Sequence, residues 1–114
     1  MIYLASPYSD PSRRTRLRRF CAACEAAAYL LKRRKPVFSP IVHAHMIATN
    51  GGMATDWGTW RGFDLHMLAL ADELYVLKLP GWETSKGVEA EMQAAIVQCI
   101  PITYLDPKDV GVQE

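Results

Sequence analysis

The segment Ser85-Lys86-Gly87-Val88-Glu89-Ala90-Glu91 combines a hydroxyl, a glycine and a carboxylate at the predicted start of a helix. A helix that follows a strand and a short loop directs backbone N–H groups at a ligand, which suits a phosphate or another anion. Helical spacing places Glu91 beside an apolar stripe, where a half-buried carboxylate can act as a nucleophile or a base. Spacing alone favours plainer alternatives: a serine N-cap, a glycine chosen for packing and a surface glutamate.

The first predicted helix opens with an unusual concentration of positive charge. Five of the seven residues from Arg13 to Arg19 are arginines. They lie at the end of the helix where the dipole disfavours cations. A bound phosphate or an acidic neighbouring chain would explain them, although a solvated face is the commoner reason for such a run.

The cysteines and histidines do not form a redox or metal motif. Cys21 and Cys24 spell C-x-x-C in mid-helix, away from the helix start that a redox pair needs, so we expect two small core residues. His43, His45 and His66 have no cysteine or carboxylate at supporting spacing, so no metal site is predicted. A loop histidine that contacts a substrate is the better hypothesis, and an ordinary loop histidine is the default.

One mid-helix acid and three tryptophans are further candidates. Asp64 falls near the middle of a predicted helix, where a solvated side chain is the default. Trp57, Trp60 and Trp82 all fall near predicted loops. They could stack on a nucleobase, but core packing is the default for each of them.

Composition limits the function classes. The chain has 114 residues, which is one domain spanning residues 1–114, with a tail expected to be loose from about residue 106. A net charge of +1 gives no case for polymeric nucleic acid or a membrane surface as a partner. No apolar run approaches the roughly 20 residues of a membrane span, and the apolar N-terminus is expected to be a strand. An odd number of cysteines favours a reducing, cytoplasmic setting.

The elements that position these residues alternate along the chain. Strands are predicted at residues 1–5, 37–38, 73–79 and 101–105, and helices at 11–34, 56–71 and 85–99. We expect Asp10 to cap the first helix, with Pro11 in its first turn. Residues 41–55 predict only a helical turn or two before the break at 50–52. The predicted buried stripe of the first helix is Leu17, Phe20, Cys21, Cys24, Ala27, Ala28 and Leu31.

This alternation predicts an α/β fold: a three-layer flavodoxin/Rossmann-like sandwich with a small parallel sheet of four or five strands. Ligands bind beyond the carboxyl ends of the strands in such sheets. The segments 6–10, 39–45 and 79–87 should therefore converge at one edge.

Three motifs in order resemble the nucleoside 2-deoxyribosyltransferase-like superfamily. Ile2-Tyr3-Leu4-Ala5-Ser6-Pro7-Tyr8 is similar to its opening signature, and Asp64-Leu65 through Leu68 to Ala71-Asp72 is similar to its middle one. Ser85-x-Gly87-Val88-x-x-Glu91 resembles its catalytic signature, close to the version in deoxynucleoside 5′-monophosphate N-glycosidases. The loop Leu79-Pro80-Gly81-Trp82 is similar to that of a small bacterial and phage family within it whose activity is undefined.

The resemblance implies a role for several residues. Glu91 matches the nucleophile that attacks the anomeric carbon, Tyr3 the residue that orients it, and Asp64 the acid that protonates the departing base. Ser85 and Gly87 match the phosphate-side residues. The converging loops add further substrate contacts, namely Ser6, Tyr8, His45 and Trp82. Glu89 stands where the best-characterised relatives usually carry a small or uncharged residue, and a second carboxylate there could raise the pKa of Glu91 or alter the substrate.

The function expected from the resemblance is hydrolysis or transfer at the N-glycosidic bond of a nucleoside, a deoxynucleoside or its 5′-monophosphate. The reaction would need no metal or organic cofactor. The resemblance also implies a homo-oligomer, since relatives complete their sites across a subunit interface. Two alternatives are a non-catalytic module that binds a nucleotide in the same pocket and a purely structural partner protein.

Overall fold

The computed structural model describes residues 1–113. Within them, four strands form one all-parallel sheet in the order β2-β1-β3-β4. The strands are β1 (Ile2–Ala5), β2 (Val37–Phe38), β3 (Glu73–Leu77) and β4 (Ile102–Leu105). The predicted α/β class and parallel sheet are confirmed, and the order is that of a flavodoxin-like sheet.

The helices cover both faces of this sheet. They are α1 (Arg13–Lys32), α2 (Pro40–Gly51), α3 (Trp57–Ala69) and α4 (Lys86–Val97), with 3-10 turns at Trp82–Thr84 and Pro107–Val110. α1 and the last turn pack on one face, whereas α3 and α4 pack on the other. This arrangement confirms the three-layer sandwich. α2 packs against α1 and β1 and contacts Trp60 of α3 through Ala44 and Ala48.

β1 is one of the two inner strands and is buried on both sides. Ile2 and Leu4 face α1, while Tyr3 and Ala5 face α3 and α4. A strand covered on both faces needs apolar residues at every position, which explains the continuous run in the sequence. Pairing of β1 with β2 and β3 therefore holds the Tyr3 side chain toward α4.

The predicted buried face of α1 is wrong. Leu17 and Leu31 are 51% and 54% exposed, and Cys21, expected in the core, is exposed while Cys24 is half-buried. Alanines permit a close approach of the helix to β1, and 3.6-residue periodicity is satisfied equally well by either set. The side chains that the helix buries are Ala22, Ala23, Ala26 and Leu30.

Two helix starts also differ from expectation. Ser12, not Asp10, caps α1, and its hydroxyl accepts a hydrogen bond from Thr15 N at 3.3 Å. Asp10 instead accepts one from Ser12 N at 2.8 Å, which forms the turn before the helix. Residues 40–51 form the three-turn helix α2, which Ser39 caps. Gly52 has a left-handed backbone conformation and forms the C-cap of α2. The predicted break at 50–52 is therefore the C-terminal end of this helix.

The expected loose tail is a further error over its described part. Val110 and Val112 are 3% and 6% exposed and join the cluster formed by α1 and the sheet. The polar residues on either side of this segment, Asp109 and Gln113, hid the spacing of its two apolar side chains. Glu114, the last residue of the predicted tail, lies outside the described residues.

The sheet order creates a crevice at the carboxyl ends of β1 and β3. From β1 the chain passes first to β2 on one side and later to β3 on the other. Loops that leave neighbouring strands in opposite directions open such a crevice. Across residues 1–113, no helix has the length and apolar character required to cross a membrane.

Candidate active site

A cavity of about 480 Å³ lies in this crevice. Its walls come from the segments that follow β1, β2 and β3 and from the start of α3. α2, α3 and α4 all begin at its edge, so their positive dipole ends converge there. The volume lies within the range of small-molecule sites.

Glu91 is the most enclosed carboxylate in the cavity. It is 3% exposed and lies on the buried face of α4 between Val88 and Ala95. The Tyr3 hydroxyl of β1 donates a hydrogen bond to its Oε2. Burial raises the pKa of Glu91 to about 8; the Tyr3 bond opposes this rise and Asp64 adds to it. Burial, and then the neighbouring carboxylates, raise the pKa of Tyr3 far above its usual value, so its hydroxyl remains a donor.

Two buried polar atoms in the cavity wall are left without a partner. Asp64 and Ser6 are 5% and 4% exposed, and Asp64 Oδ1 and Ser6 Oγ make no hydrogen bond within residues 1–113. Burial raises the pKa of Asp64 to about 7. Because an unpaired buried polar atom costs stability, these two atoms mark where a ligand could bind.

The start of α4 contributes an anion-binding geometry. Ser85 caps the helix by accepting a hydrogen bond from Val88 N at 3.3 Å. The backbone N–H groups of Lys86 and Gly87 precede the first intrahelical bond and have no acceptor within the helix. Lys86 also lines the cavity, and its ammonium makes no ion pair in the described part of the chain.

Gly87 packs closely against Trp57 of α3. A Cβ placed on Gly87 would lie 3.3 Å from Trp57 Cε3 and 3.6 Å from Cδ2. The packing alternative for this glycine is therefore met. Trp57 itself lines the cavity and is half-buried.

Tyr8 lines the cavity and is supported from behind by His45. Tyr8 Oη and His45 Nδ1 are hydrogen-bonded at 2.6 Å, and Phe20 stacks on the imidazole with ring centroids 4.0 Å apart. Burial, and then Arg16, lower the pKa of His45, so the ring is neutral at pH 7. His45 is not among the residues that line the cavity, and it supports the wall through its hydrogen bond to Tyr8. The predicted direct contact of His45 with a ligand is therefore not found.

Trp82, like His45, is a predicted substrate contact that does not line the cavity. It lines a separate groove of about 280 Å³ with Glu89 and Met92, and its ring centroid lies 5.7 Å from that of Tyr104. Glu89 is exposed and is not among the causes of the raised Glu91 pKa. The expected effect of Glu89 on Glu91 is therefore not found.

Two arginines of α1 hold the loops beside the cavity. Arg16 Nη1 donates to Asp10 O at 2.6 Å. Arg19 donates from Nη1 to Ser9 O at 3.0 Å and from Nη2 to Pro80 O at 3.2 Å. Arg19 thus joins the loop after β1 to the loop after β3. The other three arginines of the run, Arg13, Arg14 and Arg18, are exposed.

Trp57 and Lys86 line the cavity, although the sequence analysis assigned neither of them a definite place in the site. A cation in the first turn of a helix is disfavoured by the dipole, and that was a usable signal for Lys86. For Trp57 core packing was the default expectation, and α3, which carries it, starts after α2 and not after a strand. In residues 1–113, no three His, Cys, Asp or Glu side chains are grouped in a way that could hold a metal ion.

A family described as Domain of unknown function (DUF1937) matches residues 1–106. The chain belongs to this family. The match includes all four strands of the sheet and every candidate site residue discussed above. A comparison with curated proteins found no match.

Proposed function

We propose that this member of the DUF1937 family cleaves or transfers the N-glycosidic bond of a nucleoside, a deoxynucleoside or its 5′-monophosphate. The observation that carries the proposal is the buried Glu91 carboxylate, held by the Tyr3 hydroxyl in a cavity that also contains the unpartnered Asp64. A nucleophile, a group that orients it and a separate acid are the parts that a retaining glycosidase needs.

In the first step, a Glu91 oxygen attacks the anomeric carbon from the face opposite the base. The bond from that carbon to the base nitrogen breaks, and its electron pair leaves with the base. Asp64 gives its proton to the base, and a glycosyl ester on Glu91 remains. Tyr3 holds the attacking carboxylate in one orientation throughout.

In the second step, water or a second base attacks the same carbon. The Asp64 carboxylate takes a proton from the attacking molecule, and Glu91 leaves as a carboxylate. The sugar is then free or is joined to the new base. Configuration at the anomeric carbon is retained after the two displacements.

The reaction needs one protonated and one ionised carboxyl group, and the raised pKa values of Asp64 and Glu91 bear on this requirement. At neutral pH, the pair formed by Asp64 and Glu91 holds a proton, because burial raises their pKa values to about 7 and about 8. Asp64 makes no bond through Oδ1, whereas Glu91 accepts one from Tyr3, which favours the ionised form of Glu91. In the reactive form that proton lies on Asp64 and Glu91 is ionised.

A non-catalytic nucleotide-binding module is the second candidate. The observation in its favour is the same pKa of about 8, since a Glu91 that stays protonated at neutral pH is a poor nucleophile. Such a module would be stabilised by nucleotides without consuming them.

The deciding experiment follows free base by chromatography during incubation with deoxynucleosides and their 5′-monophosphates. Wild type is compared with Glu91→Gln and with Glu89→Gln, an exposed glutamate two residues away on the same helix. We expect Glu91→Gln to lose at least about 10³-fold in rate and Glu89→Gln to keep the wild-type rate. Equal base release by all three proteins would contradict the proposed chemistry, and nucleotide-dependent stabilisation without base release would favour the binding module.

We also propose that the protein forms a homo-oligomer and works in the cytoplasm. Large apolar side chains of α2 and α3, namely Met46, Ile47 and Phe63, are exposed, as is common at subunit contacts. The three cysteines are free thiols, which suits a reducing compartment. Light scattering coupled to size-exclusion chromatography measures the mass in solution, and a monomer would contradict the oligomer.

A further inference from the structure

The three tryptophans of the chain have different surroundings. Trp60 is 8% exposed, and its indole N–H donates to Ala54 O at 2.8 Å, so it holds the loop before α3. Trp82 lies in the separate groove. Trp57 lines the main cavity, is half-buried, and makes no side-chain hydrogen bond within residues 1–113. Trp57 is therefore the tryptophan whose ring is both placed at the cavity and not committed elsewhere.

The Trp57 ring is held in place by close packing against Gly87. Cδ2, Cε3 and Cζ3 of the indole lie 3.3–3.8 Å from the position that a Cβ on Gly87 would occupy. The backbone of Trp57 is held by the N-cap Asp56, whose Oδ2 accepts from Thr59 N at 3.1 Å and whose Oδ1 accepts from Thr59 Oγ1 at 2.7 Å. A ring that is already held in place loses little freedom when a ligand stacks on it.

The Trp57 ring also lies on the same side of α3 as Asp64, the candidate acid. Positions 57, 60 and 64 share one side of α3 by helical spacing, and Trp57, Trp60 and Asp64 all line the cavity. A planar group lying on the indole would therefore extend along the same side of the helix that carries Asp64.

We propose that Trp57 is the stacking platform of the cavity and selects ligands that carry a planar heteroaromatic ring. The inference rests on the proposed function for the sugar-linked part of the ligand, but its own content is the ring. Stacking on an aromatic side chain is tolerant of base identity, because every base presents a π-face. Trp57 thus explains selection for a base without selection among bases.

The test compares two probes by isothermal titration calorimetry. The first is 2′-deoxyadenosine 5′-monophosphate, and the second is 2-deoxyribose 5-phosphate, which lacks the ring. All proteins carry Glu91→Gln so that the first probe is not consumed. On this background we introduce Trp57→Leu, Trp57→Phe and, as the matched control outside the cavity, Trp82→Leu.

We expect Trp57→Leu to weaken binding of the nucleotide at least about fivefold, as removal of one base-stacking side chain does, and to leave binding of the sugar phosphate unchanged. Trp57→Phe should lose less, because a smaller π-face remains, and Trp82→Leu should lose nothing.

Three outcomes would overturn the platform. Nucleotide affinity that is indifferent to Trp57→Leu excludes stacking, and equal weakening of both probes indicates a general loss of the cavity. The absence of nucleotide binding by the Glu91→Gln parent overturns the platform as well. If base release depends on Glu91 but nucleotide binding does not depend on Trp57, the proposed reaction is supported and the stacking role of Trp57 is contradicted. If the ring is bound selectively but no base is released, the stacking role is supported and the proposed reaction is contradicted.

Discussion

The Tyr3 hydroxyl on the first strand donates a hydrogen bond to Glu91 on the last helix, across 88 positions of the chain. β1 lies between β2 and β3, so the donor is held by an inner strand of the sheet. Glu91 in turn lies on the buried face of α4. The orientation of the candidate nucleophile is therefore set by the sheet itself and not by a mobile loop.

Tyr3→Phe tests this relationship. The variant removes the donor that favours the ionised form of Glu91, so the pKa of Glu91 should rise further. We expect kcat for base release to fall by about ten- to a hundredfold, which is the loss of one charge-assisted hydrogen bond of about 1.5–3 kcal/mol. The acidic limb of the pH–rate profile should move to higher pH.

Tyr75→Phe is the matched control for Tyr3→Phe. Tyr75 is also a buried tyrosine of the sheet, but it faces α1 and not the cavity. Its loss should leave both kcat and the pH–rate profile unchanged. A profile that moves equally in both variants would show that Tyr3 acts only on stability.

The pH dependence of kcat/KM follows from the raised pKa values of the Asp64 and Glu91 carboxyl groups. The reactive form holds one proton between Asp64 and Glu91, and the pair titrates at about 7 and about 8. We expect a narrow bell centred between these values, falling about tenfold for each pH unit on either side. Below the bell both groups are protonated and the nucleophile is lost; above it both are ionised and the acid is lost.

Asp64→Asn should remove the alkaline limb of that bell and lower kcat by about 10²–10⁴-fold. A substrate whose leaving group needs no proton, such as a 4-nitrophenyl deoxyriboside, should lose much less. Initial rates on both substrates measure the difference. Equal losses on the two substrates would mean that Asp64 does not protonate the leaving group.

Stability should fall as pH rises from about 5 to about 8. Glu91 and Asp64 have ordinary pKa values of 4.5 and 3.8 and folded values of about 8 and about 7. Between these values the unfolded chain has released protons that the folded chain still holds, so unfolding becomes more favourable with increasing pH. The loss is on the order of 4 kcal/mol for each carboxyl by the upper end of the window.

Thermal unfolding measured at intervals across this window checks the sign. The double variant Asp64→Asn with Glu91→Gln should have a nearly level Tm where the wild type declines. The pKa values of the Asp56 and Asp72 carboxyl groups are lowered, so these groups titrate below the window and do not interfere. A wild-type Tm that rises toward pH 8 would contradict the raised values.

Arg19→Gln should loosen the connection between the loops after β1 and β3. The guanidinium bonds Ser9 O and Pro80 O, and Gly81 lies so close that a Cβ there would be 2.7 Å from Arg19 Nη2. We expect a loss of about 2 kcal/mol in the free energy of unfolding and a raised KM. Arg18→Gln, an exposed neighbour, should change stability by less than about 0.5 kcal/mol. Urea titration measures both, and equal values would exclude the connection.

Much of the fold was predictable because its signals are local. Short apolar runs bounded by turn residues mark all four strands, and a serine cap at Ser85 marks the start of α4. Which side of a helix is buried is a weaker signal when the apolar residues extend around it. α1 shows this, since its alanines and not its leucines at 17 and 31 meet the sheet.

For the candidate site, the order of the chemical groups follows from the sequence: Tyr3 on a strand, Asp64 within a helix and Glu91 one turn into another. Their surroundings follow from the tertiary structure. Burial depends on which elements pack together, so the raised pKa values of Glu91 and Asp64 appear only in the folded chain. The same is true of Trp57, because its packing against Gly87 is a contact between α3 and α4 and exists only when the two helices come together.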